Sequence, residues 1–444
     1  MWPEWKTQPQ AEMIVQSLLQ NAFAKCPSAE AFRIKLLSQT GIRFRDILDH
    51  IVLPEVLTDV DELAACGWRP EDSSPLVFKN NLGRFPTIVL GNESSISFKV
   101  ERLADFLKIT KATGTPEGRP FTPYRRCKIW EDEGVDFLAV ERNGYAGFDI
   151  IDFPDSVVRV SRLYLQRFRT RRREFDYPKQ GFDVTEQLVA EAVEELGNDW
   201  TCSLFLKAER EYWEMRNGAG RLQKRRQDAL GIGWANEDHH TYDSSRYYFH
   251  RLIRILEHLG FECRERFYAG ADAGWGSQIL EQPVLGSIIF ADIDLDSEEL
   301  EIDFAHHPIE PLPELRRAGL WTELHGESML DAGLNHLECM FDSTALRTQL
   351  NALGVTMMNP FSNFPHLYQE LTVGEWWPVN PDRVELLERH HLISKEQAED
   401  FRLNGAIGSH FENLERNDGY KGFNQPGIDN VLRIIDPRKN LVEV

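Results

Sequence analysis

Three sequence-distant residues, His239, His336 and Glu412, each fall in a segment that reads as a strand. Two imidazoles and one carboxylate on neighbouring strands can cover one face of a divalent ion. The vacant face is what a non-haem Fe(II) oxygenase needs for O2 and substrate. The donor set does not select strongly, and Mn, Ni, Co or Zn can take it as well. Two of the donors have close competitors. His240 follows His239 directly, and only one of an adjacent pair can face a given side of a strand. Glu412 and Glu415 have opposite parity, so an unbulged strand offers one of them to the metal. His410 shares the face of Glu412 and can serve as a substrate-binding group, as can Gln278 and its neighbour Ser277.

The segments that carry these residues follow a repeated plan. Asp238-His239-His240-Thr241-Tyr242 predicts a short strand, and the apolar positions Phe249, Leu252, Ile253, Leu256 and Leu259 predict one helical face over 244–259. Ser244 or Ser245 can cap this helix and Gly260 can stop it. FECRERFYA, WGSQILEQP and GSIIFADID then read as strands, completing a βαβββ unit. A second unit starts at Leu334-Asn335-His336-Leu337-Glu338, with Asp342 or Ser343 capping a helix that Gly354 ends. A third starts at Leu48-Asp49-His50-Ile51-Val52, with Thr58 or Asp59 as cap and Gly67 as stop.

FLAVERNGYAGF (137–148) matches FENLERNDGYKGF (411–423) after one inserted residue. Glu141 then aligns with Glu415, which points to a structural role for that carboxylate. Leu138 stands where Glu412 stands, as expected of a copy without metal. The reading is of an α+β protein whose βαβββ modules form a cupped mixed sheet. Residues 1–153 form an N-terminal α+β domain with a degenerate module over about 41–153. Residues 154–230 form a mainly helical connector, in which RNGAGRLQKRRQDALGIG reads as an exposed, glycine-broken stretch. Residues 231–444 form a metal-binding domain of two modules, about 231–305 and 325–430, joined by the proline-rich HHPIEPLPEL.

These segments resemble the vicinal oxygen chelate superfamily, in which paired βαβββ modules hold a metal in a cupped sheet. Asp238-His239 before a helix, Leu334-Asn335-His336-Leu337, and Gly408-Ser409-His410 leading into Phe411-Glu412-Asn413 resemble the 2-oxoadipate dioxygenase/decarboxylase (hydroxyglutarate synthase) family, and more remotely 4-hydroxyphenylpyruvate dioxygenase. The resemblance covers about 200 residues and implies ligands at His239, His336 and Glu412. It implies Fe(II) as cofactor, with another divalent metal as the alternative, and a small 2-oxo acid and O2 as reactants in an oxidative decarboxylation and hydroxylation. One position departs from it. The family carries an Arg four residues after its first ligand, where a bidentate pair can hold the substrate carboxylate. Here that residue is Asp243, which leaves Arg246 and Arg416 as the nearest cations to test. It also keeps open a non-oxidative isomerase or lyase, or a small-molecule-binding protein without redox chemistry.

Composition narrows the classes further. Hydrophobic residues make up 42% of the 444, with 26 Phe, 11 Trp and 11 Tyr, which fits a folded chain of roughly two to four domains. A formal charge of −21 argues against nucleic acid or an anionic membrane as partner. The basic run RFRTRRR (167–173) reads as a solvated helix face or a partner contact. The six scattered cysteines, without a CxxC pair, predict reduced thiols and a cytoplasmic protein. Neither a signal peptide nor a membrane-length apolar run is visible. No GxSxG, P-loop or GxGxxG loop supports a hydrolase, nucleotide-binding or Rossmann reading. A homodimer is compatible with all of this.

Overall fold

The computed structural model describes residues 5–423. The end of the expected last module, 424–430, and the following 431–444 lie outside the described residues. Two mixed sheets organise the chain. The first contains β1 (Leu48–Pro54), β2 (Trp68–Glu71), β3 (Ser74–Asn80), β4 (Thr87–Gly91), β5 (Ser94–Lys99), β6 (Tyr124–Asp132) and β7 (Val135–Arg142), in the order β2-β3-β4-β1-β5-β7-β6. The second contains β8 (Glu237–Asp243), β9 (Glu262–Tyr268), β10 (Trp275–Gln282), β11 (Ser287–Asp294), β12 (His336–Met340), β13 (Ser362–Phe364), β14 (Leu367–Leu371), β15 (Glu375–Trp377) and β16 (Ala406–Arg416). Its order is β13-β14-β16-β12-β8-β11-β10-β9, with β15 against β16.

In the second sheet β8, the helix Phe249–His258 and β9 to β11 form one βαβββ unit. The stripe Phe249, Leu252, Ile253 and Leu256 is fully buried, and Gly260 at φ +84° ends the helical stretch, a conformation that favours glycine. β12, the helix Ser343–Ala352 and β13, β14 and β16 form the other unit, with two helices (Pro381–Arg389 and Lys395–Asn404) inserted before its last strand. The two units meet where β8 runs antiparallel to β12.

The first sheet repeats this plan, which corrects the expectation of a single module over 41–153. β1, the helix Val60–Ala65 and β2 to β4 make one unit, and β5, the helix Leu103–Thr110, β6 and β7 make another with one strand fewer. The two meet at the antiparallel pair β1 and β5. The later unit was hidden because β5 carries Ser95 and Ser97 where β12 carries His336 and Glu338, so no chemically marked residue announces its start. Register gives the equivalence. His50 faces Ser97 as His239 faces Glu338, and Ser97 faces Leu138 as Glu338 faces Glu412. The N-terminal counterparts of His239, His336 and Glu412 are therefore His50, Ser95 and Leu138.

The repeated ER-N-GY-GF string now has a physical cause. Arg142 pairs with Asp49 (2.6 and 2.7 Å) and donates to the carbonyls of Tyr145 and Gly147 (both 2.7 Å). Arg416 likewise pairs with Asp238 (3.2 and 3.3 Å) and donates to the carbonyls of Tyr420 (3.3 Å) and Gly422 (2.7 Å). Each arginine ties the turn after the last strand to the Asp before the first-strand histidine. Glu141 and Glu415 share a second task. They accept from the backbone N–H of Leu103 (2.8 Å) and Ser343 (2.9 Å), the first residues of their modules' helices. Arg142 holds the buried Asp49 well below the ordinary carboxylate range against the opposing effect of burial. Asp49→Asn is expected to cost about 3 kcal/mol at neutral pH, because it leaves a largely buried guanidinium without its anion. The stability that the pair contributes is present above the unfolded Asp pKa and is lost as pH falls below it. Urea unfolding of the parent and the variant at pH 7 and at about pH 2.5 checks both the size and the direction.

Helices Asp155–Arg169, Pro178–Leu196, Asn198–Arg216 and Gly218–Asp228 lie between the two sheets in sequence. The last corrects the glycine-broken connection. Asn217 caps it, accepting from Gly220 N–H (2.7 Å), and Gly220 is needed because a Cβ there would sit 2.3 Å from the Trp213 ring. The basic run is also corrected in part. Arg171 and Arg173 are buried on Glu209 (2.9 and 2.6 Å) and donate to the carbonyls of Met329 (2.7 Å) and Leu330 (3.1 Å), which fastens the connector to the segment before β12. Among the described residues no helix is long and apolar enough to cross a membrane. All six cysteines are free.

Candidate metal centre

β8, β12 and β16 lie side by side, so side chains of matching parity form rows across one face. One row is His239, Glu338, Glu412 and the next is Thr241, His336, His410. Ligand atoms of His239, His336 and Glu412 all lie within 4.8 Å of one another. His336 Nε2 is 3.2 Å from Glu412 Oε2 and 2.8 Å from Thr241 Oγ1. His239 and Glu412 are almost wholly buried, and Glu338 is fully so.

Glu338 carries no motif that marks it in the sequence, although it follows His336 by two residues and so shares its face. Its Oε1 lies 2.9 Å from His239 Nδ1, and Asp238 Oδ1 lies 3.2 Å from the same nitrogen. With two carboxylates beside it, Nδ1 is the protonated nitrogen. Gln369 bridges the carboxylates, donating to Glu412 (3.1 Å) and Glu338 (3.3 Å). Burial and the neighbouring Glu338 push Glu412 well above the ordinary carboxylate range. Burial, together with His239 and His410, keeps His336 neutral and therefore able to donate a lone pair. Burial alone would lower His239, but Glu338 and Asp238 outweigh it and raise it. Two buried carboxylates on one row, with Oε1 of Glu338 receiving no well-aligned hydrogen bond, form an anionic pit that suits a divalent cation.

A cavity of about 60 Å³ opens on this face. Phe267, Trp275, Phe290, Phe361 and Phe423 give it an apolar wall, and Arg317 supplies its guanidinium. Arg317 sits at the first position of the helix Arg317–His325. Asp294 fixes that helix start by accepting from the N–H groups of Arg316 (2.8 Å) and Ala318 (2.9 Å). Arg317 lies over Trp275, its guanidinium carbon 4.4 Å from the ring centroid, and is buried. Asp243 binds it at 2.8 Å, and Asp292 binds it as well. The residue four places after His239 is thus an anchor for an arginine delivered by another element.

Burial and the nearby Asp243 push Asp292 up to about 7, and Arg317 only partly offsets them, since one guanidinium serves two buried carboxylates. The folded chain then keeps a proton that the unfolded chain has lost between about pH 4 and pH 7. Stability contributed by this group therefore falls as pH rises through that window. Asp292→Asn is expected to flatten this dependence by up to about 1.4 kcal/mol per pH unit, read from urea unfolding at pH 5 to 8.

Several residues that the sequence singles out do not reach the cavity. Gln278 has the parity opposite to Ser277 and donates to the carbonyls of Glu265 (3.0 Å) and Ile279 (3.2 Å). Ser277 faces the cup side and binds Asp292. Arg246 is taken up by Glu299 (2.7 Å) and by the carbonyls of Glu310 and Asp294. Arg416 is committed to Asp238 and its turn. His240 points to the reverse face, where Arg210 lies 3.4 Å from its Nε2, and Glu415 faces Arg43 and Ser343. His410 lies on the cup face beside His336. It does not line the cavity, and its Nδ1 donates to the carbonyl of Thr372 (2.9 Å).

No protein-family model matches this sequence, and no curated protein matches it. Among solved structures, a protein described as a glyoxalase superfamily member from Ralstonia eutropha JMP134 is similar over 54% of this chain and 87% of its own, at 13% identity and a TM-score of 0.34. A 4-hydroxymandelate synthase variant from Streptomyces coelicolor is similar over 77% of this chain and 98% of its own (11%, 0.30). Methylmalonyl-CoA epimerase from Mycobacterium tuberculosis is similar over 41% and 88% (14%, 0.23). Each of the two sheets pairs two modules of the βαβββ plan, the arrangement that the sequence resemblance implies. One oxygenase and one epimerase stand among these neighbours.

Proposed function

We propose that this protein is a metal-dependent enzyme, with Fe(II) as the first metal to test, acting as a dioxygenase on a small 2-oxo acid or a related chelating anion. The observation that carries the reading is the convergence of His239, His336 and Glu412 on one face of three adjacent strands, beside an apolar cavity that holds one arginine. The donors are chemically apt for a divalent ion, and the surrounding carboxylates are short of positive charge. A bound metal would supply a site for the chelating oxygens of the substrate and for O2.

The protein's own residues do the rest. Asp238 and Glu338 hold His239 in one tautomer, and Gln369 orients Glu412. Arg317 lines the cavity and is placed to meet the substrate's carboxylate with its positive charge while its Nη2 stays on Asp243 and Asp292, whereas Arg246 and Arg416 do not line the cavity. The aromatic wall excludes water from the reacting end. O2 uptake by the Fe(II)-loaded protein, screened against 2-oxo acids, tests this reading. Substrate-dependent uptake supports it, and metal-dependent conversion without uptake assigns the site to the non-oxidative alternative. Glu338 favours that alternative, because a second carboxylate beside the metal site can carry a proton to or from a substrate.

A further inference from the structure

A concentration of positive charge lies away from the metal centre, in the cleft between the two sheets. A cavity of about 340 Å³ there is lined by seven Lys and Arg side chains against three carboxylates. A smaller cavity of about 130 Å³ adjoins it, and Arg84, Lys99 and Arg142 line both. Most of these cations are matched. Arg142 pairs with Asp49, Lys79 with Glu71 (2.5 Å), Lys421 with Glu281 (3.0 Å) and Arg45 with Glu12. Three are not fully matched. Arg84 and Arg416 share the single carboxylate of Asp238, and the Lys99 side chain has no hydrogen bond or ion pair among the described residues. Burial lowers the pKa of Lys99; the nearby Asp49 and Glu237 oppose this, and the like charges of Arg84 and Arg142 add to it. The cleft therefore carries a surplus of about two positive charges, on side chains that point into space large enough for a small molecule.

We propose that this cleft is a second ligand site for a small phosphate-bearing dianion, held between Lys99 and Arg84. Phosphate fits this description because its oxygens accept from several donors at once and its charge matches the surplus. The source is either free phosphate or a phosphomonoester. The site does not depend on the reaction at the metal centre.

Titration calorimetry of the metal-loaded full chain with inorganic phosphate and with glycerol 3-phosphate tests the proposal. Both probes share the required group, and the tighter one identifies the source. Lys99→Met and Arg84→Gln are each expected to weaken binding at least about tenfold, the loss of one charge-assisted contact. Lys99→Met also removes an unmatched half-buried charge, so its melting temperature without ligand is expected to equal or exceed that of the parent, which separates lost binding from lost folding. Glu412→Gln is expected to bind both probes as the parent does. Absence of binding at millimolar concentrations, equal binding by Lys99→Met, or loss of binding in Glu412→Gln would overturn the assignment.

Discussion

Glu412→Gln is expected to remove bound metal and, at the same time, to raise the stability of the metal-free chain. The two effects share one cause. Glu412 and Glu338 are buried on the same row, and without a cation each disfavours ionisation of the other. Glutamine keeps the shape and the contact with Gln369 but cannot carry the charge that binds a divalent ion. Metal affinity should fall by more than about a hundredfold, beyond the 10- to 100-fold typical of groups that only orient ligands. Turnover should fall to background. Stability of the EDTA-treated variant should exceed that of the parent by about 1 kcal/mol. The difference should widen as pH rises, because a carboxyl group whose folded pKa is raised loses its contribution as pH climbs toward that value. Calorimetric melting at pH 6 and pH 8 reads the sign. A variant that keeps the metal, or one less stable in the metal-free state, contradicts the assignment of Glu412.

The second large effect is expected at Arg317. Arg317→Met should lower kcat/KM for an anionic substrate by about a hundredfold, or roughly 2.7 kcal/mol, and leave metal content unchanged. The same substitution strands Asp243 and Asp292 in the interior and should destabilise the fold by about 3 kcal/mol. Combining it with Asp292→Asn separates the two consequences. The double variant should regain much of the lost stability and none of the lost kcat/KM. Recovery of both together would reduce Arg317 to a structural role.

How much of this was legible in the sequence depended on whether the signal was local. Strand parity separates Glu412 from Glu415 and requires a choice between His239 and His240, and the sheet places the chosen members on the cup face. The helix after β8 was readable because its apolar stripe is uninterrupted and Gly260 closes it. The N-terminal sheet was only half legible. β5 presents Ser95 and Ser97 where a marked residue would have revealed another module, so two units read as one. Gly220 misled because a glycine within a polar stretch suggests a break, whereas here it admits the ring of Trp213. Arg317 carried no signal at all. Its part is set by Asp243, 74 positions away, and by a helix start that Asp294 fixes from a neighbouring strand. The departure at Asp243, which argued against a bound carboxylate, is the contact that puts an arginine in the cavity.

Metal content of the purified protein, measured by elemental analysis after anaerobic Fe(II) loading, tests the central claim most directly. A single divalent ion per chain in the parent, lost from His239→Ala, His336→Ala and Glu412→Ala alike, is the predicted result. A parent protein that holds no metal after loading, or one whose metal survives all three substitutions, would contradict it.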